Sequence, residues 1–340
     1  MVGIDIGIWS TKIVDLQKKK GIYELRKAYI FPTDRSVVMG KEVEKERLSL
    51  FLKHTLQRCK SRSKKVAISL NDENCIVKYT RIAQAPEEQI EKLCWREMEG
   101  NIPFNRGEAN IDCKIIDIDK EKRDMGVVVA TARKDLVENL LSIFKKAGSV
   151  LTIIDADALA LYNIWEVNCA LENEKNVLII DIGSKLTKIL VIIDAKPRFN
   201  KMFYIGGYNI TSEIENKFGV DENEAERMKI RAAEDLSVER KEEILAIARG
   251  KVDNLFTEIK SVVDLFYQNA GEYSPPVKKI FLCGGSSGLP FLKDVAKQYF
   301  DVSSVEVLNP FGVFVVKGSL EYIEKKASSF AIAAGLALRQ

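Results

Sequence analysis

Histidine is almost missing from this 340-residue chain; it occurs once, as His54. A lone histidine without ligand-type neighbours argues against a zinc site. Six cysteines are present (Cys59, Cys75, Cys94, Cys113, Cys169, Cys283), but no two form a C-x-x-C pair. Zinc and dithiol redox sites are therefore not expected, and the scatter fits a reducing, cytoplasmic compartment. No apolar stretch reaches the length of a transmembrane helix, and no charged segment followed by an apolar one opens the chain. Work at a membrane would need something else to bring the protein there. Excess charge of one sign is also lacking: 52 Lys and Arg stand against 49 Asp and Glu, a net +3. That is too little to point to nucleic acid, and no RNA- or DNA-binding motif accompanies it. A locally basic run from Lys53 to Lys65, with Arg58, Lys60, Arg62 and Lys64, has two readings. One is a solvated helix end, where cations suit the dipole. The other is contact with an anionic membrane surface or an acidic partner.

What is present suits a globular protein with two core-forming halves: 46% of residues are hydrophobic and 30% charged. The most informative feature is a short turn that occurs twice. Gly3-Ile4-Asp5-Ile6-Gly7 opens the chain, and Ile179-Ile180-Asp181-Ile182-Gly183 opens its second half. Ser10-Thr11-Lys12 follows the first, and Ser184-Lys185-Leu186-Thr187-Lys188 the second. A hairpin of this kind aims a carboxylate outward, and its glycine lets backbone N–H groups approach an anion. Taken singly, each is ordinary Asp-x-Gly turn chemistry. Two at matched positions, facing one another, would make a phosphate–metal clamp.

The surrounding pattern repeats as well. Strands are predicted over Val2–Ile6, Thr11–Leu16 and Ile22–Phe31, then a helix over Glu42–Arg58 and a strand over Val66–Leu70. In the second half the strands are Val177–Ile182, Lys188–Ile193 and Arg198–Ile205, followed by a helix over Asn209–Phe218. The order strand-turn-strand-strand-helix thus occurs twice, as in a duplicated α/β unit with a cleft between the halves. Between them lies a block with its own β-α-β-β-α rhythm. Its strands are Cys75–Ile82, Ala109–Ile118 and Met125–Thr131; its helices are Pro86–Met98 and Lys134–Ala147, the latter capped by Gly148. A strand over Leu151–Ile154 and a helix over Ala158–Val167 lead out of it. Later, Glu222–Ala270 reads as mostly helical, Lys279–Cys283 and Val305–Val307 as strands, and Leu289–Tyr299 and Ser329–Leu338 as helices.

A bound nucleotide with Mg²⁺ needs main-chain N–H groups around its phosphates, carboxylates for the metal's water shell and a pocket for base and ribose. Asp5 and Asp181 are the natural carboxylates, acting through water. Gly7 and Gly183 supply close backbone approach, and Lys12 is placed to reach a phosphate oxygen as a point charge. Gly206-Gly207 precedes a helix and leaves its N-terminus open to an anion, or is a plain strand-to-helix turn. Glu226 and Lys229 share a helix face and either bracket a ribose or form a solvated ion pair. Gly284-Gly285-Ser286-Ser287 follows a strand and allows flat backbone approach to a purine. It is not a Walker loop, since no Gly-Lys-Ser/Thr follows.

In this order the five pieces resemble the actin-like ATPase superfamily, which includes actin, Hsp70, sugar kinases and FtsA. The closer resemblance is to the PilM family of the type IV pilus inner-membrane platform. It rests on Val2–Gly7, Glu99-Gly100-Asn101-Ile102-Pro103-Phe104, Val129–Lys134, Ala147-Gly148, Asp181–Ser184, Gly206–Thr211, Ala225-Glu226 with Lys229, Cys283–Ser286 and Asn309-Pro310-Phe311. The resemblance implies a duplicated, ribonuclease H-like α/β fold: two lobes around a nucleotide cleft, with an inserted 1C subdomain of the FtsA/PilM type. It implies subdomain 1A over 1–69, 1C over 70–150, a connecting helix of 1A over 151–174, lobe 2 over 175–328 and a returning connecting helix over 329–340. It makes Gly7, Ile8, Trp9, Ser10, Thr11 and Lys12 the phosphate 1 loop, and Gly183, Ser184 and Lys185 part of the phosphate 2 loop. It sets Gly206, Gly207, Glu226, Lys229, Gly284, Gly285, Ser286 and Ser287 around the adenosine, and Asp5 and Asp181 on Mg²⁺.

Departures from the superfamily pattern bear on turnover. Ile8 and Trp9 stand where many members carry small hydroxyl residues. Lys185-Leu186 stands where vigorous ATPases have a further glycine. Asp157 occupies roughly the place of the acidic residue that polarises water in polymerising relatives. ATP–Mg²⁺ binding with at most slow hydrolysis is therefore the expectation. The resemblance further implies a cytoplasmic scaffold that binds the short N-terminal tail of a bitopic, PilN-like membrane protein at the 1A–1C surface. Other platform proteins would join it, and its membrane contact would be indirect. The alternatives are an FtsA-like filament-forming ATPase, a sugar-kinase-type phosphotransferase and an actin-like component of a type II secretion system.

Overall fold

The computed structural model describes residues 1–34, 45–61, 63–169, 174–234, 239–270, 275–317 and 321–339. The chain opens with an antiparallel meander of β1 (Val2–Ile6), β2 (Ser10–Lys19) and β3 (Ile22–Pro32). Helix α1 (Lys45–Cys59) turns Leu48 and Leu52 inward and leads to β4 (Lys65–Leu70), which runs parallel to β1. A separate block follows, made of β5 (Cys75–Ala83), α2 (Glu87–Met98), β6 (Ala109–Asp119), β7 (Asp124–Arg133) and α3 (Lys134–Lys146). Its strands form their own sheet in the order β5-β7-β6. The chain then returns to the first sheet with β8 (Val150–Ala156), parallel to β4, and enters α4 (Asp157–Cys169).

A second sheet takes β9 (Val177–Ile182), β10 (Thr187–Ile193) and β11 (Lys196–Phe203). Helices α5 (Gly207–Phe218), α6 (Glu222–Glu234) and α7 (Lys241–Ala270) precede β12 (Lys279–Cys283). Helix α8 (Leu292–Tyr299) leads to β13 (Ser304–Val307). A short β14 (Val315–Val316) rejoins the first sheet beside β3, and α9 (Ala331–Ala337) follows.

The first sheet has the order β14-β3-β2-β1-β4-β8 and the second β11-β10-β9-β12-β13. Apart from β14 the two correspond strand for strand, and their directions match: two antiparallel steps, then two parallel ones. The duplicated α/β unit expected from the repeated pattern is what the chain builds. Differences are local. The helix expected from Leu289 starts at Leu292, after a turn through Pro290 that has no N–H to give. The closing helix expected from Ser329 begins as a tighter turn over Ala327–Phe330. Residues 42–44 of the helix predicted over Glu42–Arg58, Arg62 of the basic run and 235–238 of the long helical stretch lie outside the described residues.

The two sheets share a core. Val14 and Leu16 from the first and Ile179 and Leu190 from the second pack on Leu161, Ile164 and Trp165 of α4 and on Ile332 and Leu336 of α9. The approach is close because small residues face one another. A Cβ on Gly335 would lie 1.9 Å from the Ala160 carbonyl oxygen of α4, and one on Gly3 would lie 2.1 Å from that of Ala333. The opposite face of β9 is covered by α5 to α8, so every residue of that strand is buried.

The three-stranded block is fastened to the second sheet at β11. Asp117 sits at a bulge of β6, where the register against β7 slips between Ile115 and Asp117. Its carboxylate has room there because residue 126 is glycine; a Cβ would stand 2.9 Å from both oxygens. Arg81 donates to it at 2.7 Å, Arg198 of β11 at 3.1 Å, and Lys196 lies 3.5 Å away. Asn200 of the same strand donates to Asp72 at 2.9 Å, and the Tyr204 hydroxyl donates to Glu73. Burial opposes the charge on Asp117, but the cations outweigh it and hold its carboxyl below the usual range.

Helix propensity favours Gly335→Ala by about 1 kcal/mol, whereas overpacking costs about 1–3 kcal/mol. The variant is expected to unfold at lower denaturant, and an equal or higher midpoint would show that the helices can part without cost. Asp117→Ala leaves three cations facing one another, and faster hydrogen exchange is expected in β6, β7 and β11 together. Exchange confined to β6 would show that the seam carries no load. The depressed carboxyl contributes to folding above about pH 4, and that contribution is lost as the pH falls through the native value.

Candidate functional site

Both predicted clamp carboxylates lie on first strands of antiparallel hairpins. Asp5 of β1 is registered opposite Lys12 of β2, and Asp181 of β9 opposite Lys188 of β10. The cross-strand lysine reaches back to its partner in each case: Lys12 Nζ lies 3.2 Å from Asp5 Oδ2, and Lys188 Nζ 3.7 Å from Asp181 Oδ2. The hairpin tips match too. A Cβ on Gly7 would stand 2.8 Å from the Ser10 carbonyl oxygen, and one on Gly183 2.8 Å from that of Leu186. Only glycine lets the main chain turn that tightly. The threonine after each tip is buried and pins the segment beyond the third strand. Thr11 Oγ1 shares a hydrogen bond with Thr33 Oγ1 at 2.8 Å, and Thr187 Oγ1 donates to the Ile205 carbonyl at 2.6 Å. Ile8, Trp9 and Ser10 are half-buried at the first tip, as are Ser184 and Lys185 at the second. The Lys185 ammonium lies over the Tyr208 ring.

The hairpins confront each other closely enough for their charges to interact. Burial pushes the Asp181 carboxyl up; Lys188 and Lys12 oppose that, while Asp5 and Asp157 add to it. Burial works against the charge on Lys188, but Asp157, Asp181 and Asp5 outweigh it and hold the ammonium above the ordinary lysine range. Asp157, at the start of α4, is 5% exposed. Its Oδ2 accepts from Lys188 at 2.8 Å, and its Oδ1 accepts from the Ser69 hydroxyl. Both oxygens are therefore engaged.

The other predicted residues converge on the second hairpin. Gly207 N–H donates to the Gly183 carbonyl at 2.9 Å and Tyr208 N–H to that of Ser184 at 2.7 Å. The Gly207 amide, one of those read as open to an anion, and the Tyr208 amide beside it are thus taken by the hairpin itself. Gly206 is pressed against it; a Cβ there would lie 2.4 Å from the Ser184 carbonyl oxygen. Lys229 is buried, not solvated. Its Nζ lies 2.7 Å from Glu226 Oε2, 2.9 Å from Thr211 Oγ1 and 3.0 Å from the Gly207 carbonyl oxygen. The Glu226–Lys229 pair therefore ties α6 to the start of α5. Burial lowers the Lys229 pKa against the pull of Glu226.

Gly284 has φ +88°, and a Cβ there would meet Asp181 Oδ1 and the Ile182 carbonyl oxygen, each at 2.5 Å. Ser286 N–H donates to that carbonyl at 3.0 Å, and Ser286 Oγ lies against Gly207. Ser287 is buried and donates to the Gly284 carbonyl at 2.8 Å. A Cβ on Gly285 would meet nothing within 4 Å, so the main chain there is open.

Sequence reasoning gave Lys188 no role, and it aimed Lys12 at a phosphate oxygen; the structure pairs each lysine with the aspartate seven residues before it. Ser69 carried no signal. Among the described residues no group of three or more His, Cys, Asp or Glu converges as a metal-ligand set. Two carboxylates flanked by glycines and lysines do fit a phosphate and a cation that keeps its own water shell.

A family model described as "Type IV pilus assembly protein PilM" matches residues 3–340. The chain is similar to a solved PilM–PilN type IV pilus biogenesis complex, with 24% identity, a TM-score of 0.85, and coverage of 99% of this chain and 97% of that one. It is also similar to the ethanolamine utilization protein EutJ from Carboxydothermus hydrogenoformans, with 14% identity, a TM-score of 0.59 and coverage of 100% and 89%. MreB 5 of Spiroplasma citri, solved bound to AMPPNP, is 14% identical with a TM-score of 0.51 and coverage of 98% and 93%. These likenesses place the fold among actin-like proteins. The match along nearly the whole chain shows that this protein belongs to the PilM family of type IV pilus assembly proteins.

Proposed function

We propose that this protein is an ATP-binding, actin-like scaffold of type IV pilus assembly that holds the cytoplasmic N-terminal tail of a PilN-like membrane protein. The observation that carries the nucleotide part is the matched pair of Asp–Lys hairpins, one on each sheet, with each aspartate registered opposite its lysine. Lys12 and the main chain of Gly7 to Thr11 hold one side of the triphosphate. Gly183, Ser184 and Lys185 hold the other. Asp5 and Asp181 accept from the water shell of Mg²⁺, which would supply charge neutralisation at the phosphates. Gly206, Gly207 and Gly284 to Ser287 form the adenosine side, with Glu226 and Lys229 bracing it. Asp157 has both oxygens engaged, which supports slow hydrolysis at most.

The likeness to a PilM–PilN complex and membership of the PilM family support the partner. In this reading 70–150 is subdomain 1C, while 1–69, 151–174 and 329–340 make 1A and 175–328 makes lobe 2. The peptide surface lies between 1A and 1C. Among the described residues no helix is long and apolar enough to cross a membrane. The protein reaches the cytoplasmic face of the inner membrane through its partner.

Labelled ATP titrated with Mg²⁺ should bind the Asp5→Ala/Asp181→Ala double variant at least about tenfold more weakly than wild type, about 1.4 kcal/mol. Unchanged affinity in a variant that still melts cooperatively would refute the clamp. An immobilised peptide of the partner's N-terminal tail should retain the protein, and retention should differ several-fold with and without ATP. No retention in either state would remove the partner; equal retention would remove the nucleotide control.

A further inference from the structure

The end of the first sheet farthest from Asp5 carries charge and apolar surface that the clamp does not use. β1 starts there at Val2, registered against Asp15 of β2 and Val66 of β4. Beyond Asp15, β2 runs on to Lys18 and Lys19, and Lys20-Gly21 turns the chain into β3. On the other side of β1, Lys65 opens β4 opposite Val150 of β8, whose N–H donates to the Lys64 carbonyl at 2.8 Å. Helix α1 brings the exposed Lys60 to the same end, where the Cys59 and Lys60 carbonyls accept from Lys27 of β3 at 2.7 and 2.9 Å. At the outer edge β14 lies along β3, and the Lys317 N–H donates to the Leu25 carbonyl at 3.0 Å. Lys18, Lys19, Lys20, Lys64, Lys65 and Lys317 are all exposed.

The carboxylates that β2 and β3 bring to this end do not offset so many cations. Asp15 is buried and accepts from the Ser61 hydroxyl at 2.6 Å, and Glu24 is shared between Lys317 at 3.1 Å and Lys19 at 3.8 Å. Large apolar side chains stand among the lysines. Ile22, beside the turn, and Val150 are 54% and 55% exposed, and Val313, Val315 and Val316 are exposed as well. Phe314 anchors β14 from behind, buried against Tyr23 with ring centroids 6.1 Å apart, which leaves the valines on the outside. An apolar edge rimmed by lysines matches a surface that offers diffuse negative charge above an apolar layer. Lysines are hydrated point charges on flexible stems, which suit a fluid layer of phosphates better than one fixed anion.

We propose that this end of the first sheet rests on the anionic headgroups of a lipid bilayer, with Ile22 and the β14 valines at the level of the interface. The basic run from Lys53 to Lys65 had two readings, a solvated helix end or contact with an anionic surface; its Lys60, Lys64 and Lys65 lie on this face. The contact adds to recruitment by a membrane partner and does not depend on it. Asp5 lies at the other end of β1, so the clamp is left clear of the lipid.

The test floats the full chain, without partner or nucleotide, with vesicles of phosphatidylcholine and with vesicles of equal parts phosphatidylcholine and phosphatidylglycerol. The protein should bind the mixed vesicles at least about tenfold more strongly at low salt, and high salt should abolish the difference. Lys20→Glu/Lys64→Glu should lose most of that binding. Lys293→Glu/Lys297→Glu, which makes the same change of net charge on exposed positions of α8, should keep it. Melting curves check that each variant folds, and Lys20→Gln/Lys64→Gln replaces the reversal variant if it does not. No preference for the mixed vesicles, or equal loss in the two double variants, overturns the proposal. Ile22→Ser/Val316→Ser keeps every charge and separates a lipid surface from an acidic protein. It should weaken vesicle binding several-fold and leave retention on immobilised polyglutamate as in wild type. Unchanged vesicle binding in that variant, or polyglutamate retention that falls with it, overturns the assignment to lipid.

Discussion

The two hairpins can face each other only because the helices beneath them lie closer than side chains normally permit. Helix α9 touches β1 at Gly3 and α4 at Gly335, and at each contact a single methyl group would fall within 2.1 Å of a carbonyl oxygen. This spacing sets how near the ends of β1 and β9 come, and so how near Asp5 and Asp181 come. Apolar residues of both sheets close around the same pair of helices. The base shared by the two sheets is therefore continuous core, and the two halves are joined by a packed contact. Interiors packed in this way switch between discrete arrangements more readily than they deform.

Charge is handled by the same economy of space. Asp157, Asp181 and Lys188 are nearly out of water, where an unpaired ion costs several kcal/mol. The cluster persists because each carboxylate has an ammonium or hydroxyl partner at short range. A second set of charges lies farther out, where Asp117 gathers Arg81, Lys196 and Arg198 and fastens the three-stranded block to β11. Those partners are more exposed, so that seam is weaker and more easily opened by salt or acid. One chain thus holds its halves together with a strong contact at the base and a softer one at the side.

Most of the strand order was legible because the apolar runs are short, bounded and repeated, and because the glycine–aspartate turns mark where each unit starts. Val177–Ile182 and Lys279–Cys283 were found to the residue, since strands buried on both faces read as unbroken apolar runs. Spacing made the two hairpins legible, with Asp5 and Asp181 at matched positions, but not the pairing of Lys12 with Asp5. It was hidden where chemistry depends on long-range approach. Nothing in the local sequence says that Lys188 meets Asp157, that a bulge aims Asp117 at β11, or that the amides of Gly207 and Tyr208 are spent on the hairpin. The Glu226–Lys229 pair was open to a ribose-bracketing and a solvated reading because helix spacing fixes the pair but not what packs over it; Thr211 and the Gly207 carbonyl supply its cover.

The two halves share a plan but not a state. In the first hairpin the lysine stays on its own strand, and the Asp5 side chain is 16% exposed; in the second the lysine is drawn toward the other half, and the Asp181 side chain is 9% exposed. Duplication supplies matched geometry, and divergence then decides which copy remains accessible. Here the accessible copy is the one whose tip carries Ile8 and Trp9, while the closed copy is laced by hydrogen bonds to α5 and to the turn at Gly284. The three-stranded block packs on the first sheet through α3 and α1, so the more exposed hairpin belongs to the sheet whose core that block completes.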